Sequence, residues 1–364
     1  MSQVGKLFAL ALALALVGCS RPQAGRAPAP PTPLATQSPA ATATPAALGP
    51  GGLTLDEEIG AVMMVGFTGP LTDAVVSDWT VHQYGALVTV NLNHNAMTPA
   101  EMEELIGRLR AASRHRFLAA TDQEGGEICL AISTVPCAPM PTDESAVRRM
   151  AFGLKDLGFD VDLAPVADVC SGPSSFMWGR CYGTDPAAVS DAVRLAVTGV
   201  HAAGLLAAAK HFPGHGSATG NSHLLLPKVD ESLATLQARD WPPFKAAAAA
   251  GVDFVMIGHL DVTALDPGHP SSISAASVEH LRSDVGYQGA ILSDDLQMEG
   301  VTTQVTTPEA AIRFLVNGGD MLMVAHDLAV ADVTFDAIRA AVLTGRLPRG
   351  RLDEAVNRLA ALRR

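Results

Sequence analysis

From Leu53 onward, short apolar runs that do not alternate with polar residues recur eight times, separated by stretches of helical spacing, and this pattern admits few folds. The runs lie at 63–67, 86–91, 118–122, 161–166, 206–211, 254–259, 290–294 and 321–324. A strand with one wet face alternates apolar and polar residues, whereas a parallel strand covered on both faces reads as an unbroken apolar run. Helical stretches are expected at 54–64, 98–113, 143–157, 185–203, 232–250, 274–284, 307–317, 329–345 and 353–363, several opening on a Ser, Thr or Asp cap. Strands and helices alternating in this way over residues 53–364 predict one α/β domain, a (β/α)8 TIM-type barrel, with a doubly wound open sheet as the alternative.

Polar residues gather near the ends of these runs: Asn91 and Asn93, Asp122 with Gln123 and Glu124, Asp168, Lys210 and His211, His259, Ser293 with Asp294 and Asp295, and Asp320. In such a barrel the C-terminal strand ends build the active site. Solvent exposure accounts for one or two polar ends, but not for an acid, base or amide at nearly every one.

The segment KHFPGHGSATGNSH, residues 210–223, carries a lysine and three histidines. His211 and His215 have the spacing of two metal ligands on one helix face, but Pro213 and Gly214 break any helix between them. No metal site and no cofactor are therefore expected. Lys210 and His211 end a strand and should enter the pocket, and a loop histidine such as His223, titrating near neutrality, suits general acid and base catalysis. In GAILSDDLQMEG, residues 289–300, adjacent side chains of an extended strand point oppositely, so only one of Asp294 and Asp295 should face the pocket. A carboxylate there can attack an anomeric carbon while a second group protonates the leaving oxygen. The other aspartate is expected to cap the next helix.

Together, KHFPGHG at 210–216, the loop ending in Ser222 and His223, SDDLQMEG at 293–300, DQEGG at 122–126 and LAPVADV at 163–169 resemble family 3 glycoside hydrolases, in particular the β-N-acetylhexosaminidases. IGAVMMVGF at 59–67, FVMIGHLDVTALDP at 254–267 and GGDMLMV at 318–324 match in the same order. The resemblance implies a single barrel, a retaining mechanism and a carbohydrate substrate, namely terminal β-linked N-acetylglucosamine in envelope or peptidoglycan-derived glycans. It makes Asp294 the nucleophile and His223 the acid and base, with Asp122, Arg180, Lys210 and His211 holding the sugar. Trp178 and Tyr182, flanking Arg180, are candidates to stack on a sugar face or to pack in the core.

The chain departs from the family at two places. Asn221 stands where the family has an aspartate paired with the histidine, and a neutral amide cannot stabilise an imidazolium as a carboxylate does. By analogy with the loss of the orienting acid from a serine-protease triad, such a change costs on the order of 10²- to 10⁴-fold in rate. Glu127 and Leu130 replace two arginines that help bind substrate in the family. Two alternatives to an active hexosaminidase therefore stay open: a weak or inactive glycan-binding barrel, and a hydrolase for another sugar.

The start of the chain has its own logic. Lys6, the apolar run 7–17 and then Gly18-Cys19 resemble a bacterial lipoprotein signal, a run too short to span a bilayer. Residues 1–18 are expected to be the signal peptide and Cys19 the lipidated residue, anchoring the protein to a membrane in the extracytoplasmic cell envelope. Residues 19–52 are rich in Pro, Ala and Thr and form a linker, disordered by composition, that spans roughly 30 Å as a coil. In an oxidising compartment the remaining Cys129, Cys137, Cys170 and Cys181 suggest disulfides, the short separations favouring 129 with 137 and 170 with 181 among three connectivities. A formal net charge of -12 argues against a nucleic-acid partner, whose phosphates need a lysine and arginine stripe.

Overall fold

Each of the eight apolar runs contains a strand, and every barrel pairing between them is parallel. The computed structural model describes residues 48–140 and 142–363, so the signal, Cys19 and linker residues up to 47 lie outside the described residues. In chain order the strands are β1 (Met63–Val65), β2 (Ala86–Thr89), β3 (Leu118–Thr121), β4 (Val161–Asp162), β5 (Leu206–Phe212), β6 (Lys228–Val229), β7 (Phe254–Ile257), β8 (Asp261–Val262), β9 (Ala290–Asp295) and β10 (Met321–Val324). The barrel closes in the order β1-β10-β9-β7-β5-β4-β3-β2, while β6 and β8 form a separate two-stranded ladder. Closure is made by β1 against β10, where Met63 stands opposite Leu322 and Val65 opposite Val324. This pairing excludes the open sheet.

The unbroken apolar runs are explained by burial on both faces: β1, β2, β3, β7 and β10 are buried at every residue. Within the run 161–166 the regular strand is only Val161–Asp162; Pro165, which has no N–H to give, interrupts it before Val166 pairs again with Lys210.

Helices depart from expectation where polarity hid them or proline broke them. The helix Asp73–His82 has no clear apolar stripe, because only Val75 and Trp79 are buried. It is held through Trp79, whose Nε1 donates to Ser113 Oγ at 3.1 Å and whose ring meets Tyr84 and Phe117 edge-on at 5.2 Å. The continuous helix expected over 232–250 is broken into Leu233–Thr235, a π-turn at Leu236–Asp240 and a helix at Pro242–Ala249. Pro242 and Pro243 lack the N–H that would continue the first segment, but fit the opening turn of the second. The last helix begins at Arg349, just after Pro348, rather than at 353.

Asp320 corrects a reading from the strand ends. It precedes β10 and so lies at the rim opposite the other acids, fully buried. Its carboxylate accepts from Arg351 at 2.7 Å, Arg358 at 2.9 Å, Arg282 at 3.2 Å and the Ile291 N–H at 3.0 Å, tying two helices to the barrel floor. Removing one partner of a buried ion cluster leaves uncompensated charge. Asp320→Ala should therefore lose about 3–5 kcal/mol of stability in urea unfolding; a loss under about 1 kcal/mol would contradict the clamp role.

Candidate active site

At the C-terminal rim the strand ends converge on a cavity of about 230 Å³ lined by Asp122, Arg180, Lys210, His211, His223 and Asp294, the six side chains singled out from sequence. They come from five places: the end of β3, the loop after β4, β5, the loop between β5 and β6, and β9. At that volume the floor is smaller than the roughly 300 Å³ of the smallest drug-sized pockets and suits a single sugar ring.

One wall is a buried charge cluster. Lys210 Nζ bonds Asp122 Oδ1 and lies 2.7 Å from Glu124 Oε1, and Arg180 grips Glu124 in a fork at 2.7 and 2.8 Å. Burial alone would raise the Glu124 carboxyl, but the Lys210 and Arg180 cations outweigh it and hold it well below the usual carboxylate range. Burial likewise works against the Lys210 ammonium, and Asp122 and Glu124 reverse the effect and push it up. The cluster sets two basic side chains against two acidic ones.

A second network fixes His211. Its Nδ1 sits 2.8 Å from Asp168 Oδ2, and Asp168 also accepts the His215 N–H at 2.6 Å. With Nδ1 protonated toward Asp168, His211 Nε2 is directed at the cavity, 3.5 Å from Arg180. His215 is buried and lowered to about 4 by that burial despite the Asp168 charge, so it is neutral and contacts Ser222 Oγ at 3.3 Å.

That contact helps seat the loop carrying His223. The Gly300 N–H donates to Ser222 O at 3.0 Å and Thr219 N–H to Lys228 O at 3.1 Å. Gly216 is required by close packing, since a Cβ there would lie 2.0 Å from Val169 O. Asn221 lies beside the catalytic candidate but not as the family pairing implies: its Oδ1 accepts the His223 backbone N–H at 2.9 Å, and no bond reaches the ring. His223 is lowered by burial, an effect that the Asp294 charge opposes and Arg180, His211 and His326 reinforce.

The paired aspartates split as the strand geometry requires. Asp294 faces the cavity and receives the Asp295 N–H on its own carboxylate at 2.8 Å. Burial would raise it, but His259, His211, this N–H and His223 together bring it down to about 2, leaving an anion at neutral pH. Asp295 is buried and does cap a turn, accepting the Gln297 N–H at 3.2 Å, but it also accepts the Ala325 N–H at 3.0 Å and reaches the cavity edge.

Other expectations resolve less simply. The disulfides Cys129–Cys137 and Cys170–Cys181 are the favoured pairs. Glu127 does line the cavity, while Leu130 is buried and does not line it. Tyr182 packs against the core and receives a hydrogen bond from Thr142, and neither it nor Trp178 lines the cavity, so stacking on a sugar held there is not supported. Glu124, Met298 and Met323 also line the cavity, each from within a segment quoted above, DQEGG, SDDLQMEG and GGDMLMV, although no role was assigned to them. His326 lines it too and carried no such signal. Among the described residues, the ligand-type trio close enough to share an ion is Asp78, His82 and Asp332, outside the cavity on the helix Asp73–His82 and the helix Leu328–Leu343. Cys19 lies outside the described residues.

Comparison with known proteins follows the same lines. Residues 54–362 match the model of the glycosyl hydrolase family 3 N terminal domain. A β-hexosaminidase of Methylococcus capsulatus is 32% identical over 277 residues, covering 72% of this chain and 82% of that protein. The β-hexosaminidase LpqI of Mycobacterium tuberculosis is 29% identical over 356 residues, 92% of this chain and 89% of its own length. The structure of a glycoside hydrolase family 3 β-N-acetylglucosaminidase from Paenibacillus sp. str. FPU-7 superposes with a TM-score of 0.80 at 30% identity, covering 85% of this chain and 62% of that one. With a closed barrel, a cavity at its C-terminal rim and a family match spanning nearly all described residues, the chain belongs to glycosyl hydrolase family 3.

Proposed function

We propose that this glycoside hydrolase removes terminal β-linked N-acetylhexosamine, in the first place N-acetylglucosamine, from envelope or peptidoglycan-derived glycans with retention of configuration. The observation that carries the reading is that an ionised carboxylate, Asp294, and a cavity-facing imidazole, His223, stand on separate elements of one sugar-sized cavity. Asp294 attacks the anomeric carbon to form a glycosyl ester while His223 gives its proton to the leaving oxygen; the neutral His223 then takes a proton from the water that hydrolyses the ester. Asp122, Arg180, Lys210 and His211 hold the ring, the buried Glu124 fixing Lys210 and Arg180 in place.

A second reading, a glycan-binding barrel of low turnover, is favoured by Asn221, which leaves the His223 ring without a carboxylate. His223 must be protonated to act as acid, and its lowered value means this form is lost as pH rises through a point below the ordinary imidazole range. For location, we propose the signal over 1–18, lipid on Cys19, the linker 19–52 and the barrel 53–364, which would anchor the enzyme to a membrane in the extracytoplasmic cell envelope. Among the described residues no helix is long and apolar enough to cross a membrane.

On a chromogenic β-N-acetylglucosaminide, turnover should exceed that of Asp294→Ala; equality with that control would sink the hydrolase reading for this substrate. Asn221→Asp should keep the turn, add a negative charge near the ring and move the alkaline limb of kcat/KM to higher pH. An unmoved limb would mean position 221 does not act on the imidazole. Glu124→Gln should raise KM about ten- to a hundredfold by unseating both cations, as loss of a charged buried partner does; an unchanged KM would remove Glu124 from substrate positioning. Cys19→Ser should shift the protein from the membrane to the soluble fraction, and persistent membrane partitioning would count against lipidation.

A further inference from the structure

Beside Asp294 lies a proton-holding chain that the reaction above does not use. His326, just after β10, lines the cavity, and its Nδ1 is 2.6 Å from Asn93 Oδ1. Asn93 is fully buried and its Nδ2 donates to the Ala325 carbonyl at 2.6 Å, which fixes the amide with its oxygen toward His326. His326 Nδ1 must therefore carry the hydrogen, and in the neutral ring Nε2 is an acceptor. Nε2 faces Asp295 Oδ2 at 3.3 Å.

That oxygen is the unsatisfied atom of the site. Asp295 Oδ1 takes the Ala325 and Gln297 N–H groups, while Oδ2 is buried without a hydrogen bond. A bare carboxylate oxygen facing the lone pair of a neutral imidazole is repulsive, whereas a protonated Oδ2 donates to Nε2 and satisfies both atoms. The groups around Asp295 agree. Asp294, its neighbour on β9, is anionic; the ring of His259, from the loop after β7, lies with Nε2 2.7 Å from the Asp295 carbonyl oxygen and Nδ1 2.8 Å from Ser272 Oγ. Burial, reinforced by the Asp294 charge and opposed by the two N–H groups and His259, raises Asp295 to about 7, and burial lowers His326, so the proton rests on the carboxyl.

We propose that His326 is a positioning residue: it accepts the proton of a neutral Asp295 carboxylic acid and thereby keeps Asp294 the only charged member of the adjacent carboxyl pair. Two neighbouring carboxylates that interact cannot both ionise without raising one of them, and the chain Asn93–His326–Asp295 settles which one stays charged. The assignment rests on Asp294 being the nucleophile, but the proton itself does not depend on the reaction.

Infrared difference spectra of the purified full-length protein below about pH 7 should show a carboxylic-acid carbonyl band that Asp295→Asn removes. His326→Gln should remove it too, because the glutamine amide donates to Oδ2 and favours the anion. In kinetics, His326→Gln should move the acid limb of kcat/KM from near 2 toward the ordinary carboxylate range, since Asp294 gains a charged neighbour. Asp295→Asn, a neutral isostere of the acid, should leave that limb in place. No band difference between the wild type and Asp295→Asn, or an acid limb unmoved in His326→Gln, overturns the proposal. The infrared arm needs no substrate, so its failure is separate from any failure of the hexosaminidase reading.

Discussion

The pairing of β1 with β10 is the contact on which everything else depends. It joins residues some two hundred and sixty positions apart, Met63 with Leu322, and removes the two free edges an open sheet would leave. Once the ring is closed, all eight barrel strands point their C-terminal ends at one rim. Side chains from β3, β5, β7, β9 and β10, and from the loops after β2, β3, β4, β5, β9 and β10, then share a single cavity although they are scattered from position 90 to 326.

Closure also explains the electrostatics. The buried acids of the cavity wall sit against donors: Glu124 and Asp122 against Lys210 and Arg180, and Asp168 against His211. Asp294 is the exception. It has no cation bonded to it and remains anionic through the combined field of His259, His211, His223 and one backbone N–H. A carboxylate held by dipoles and imidazoles, rather than locked in a salt bridge, is free to form a bond to carbon. At the opposite rim Asp320 meets three arginines and is spent on holding helices. The same residue type serves stability at one end of the barrel and, in the proposed reaction, chemistry at the other, in line with the two faces of this fold.

The loop of residues 210–223 shows how chemistry and construction share a segment. Lys210 and His211 belong to β5 and are set by strand pairing and by Asp122, Glu124 and Asp168. His223 is placed by turns, by Ser222 against His215, and by the Gly300 N–H. Asn221 contributes to the turn through a backbone hydrogen bond, which an aspartate could make equally well. Its difference from an acid is therefore one of charge, not of local shape.

Read alone, the amino-acid order determined the strands, the alternation and hence the barrel, because burial on both faces writes an unbroken apolar run wherever the fold is parallel. It also carried the six cavity residues, most of them through their types and places at the strand ends or in the 210–223 loop, but Arg180 and the choice of Asp294 over Asp295 only through the resemblance to the family. It missed the helix Asp73–His82, whose contacts run through one tryptophan rather than a stripe, and it grouped Asp320 with the C-terminal strand ends although Asp320 precedes its apolar run, which puts it at the N-terminal rim. Only the tertiary structure decided that Asn221 bonds backbone and not ring, that Tyr182 packs inward, and that Asn93, His326 and Asp295 form one chain. Those are contacts between residues distant in sequence or turned by a loop, and their geometry exists only once the barrel has closed.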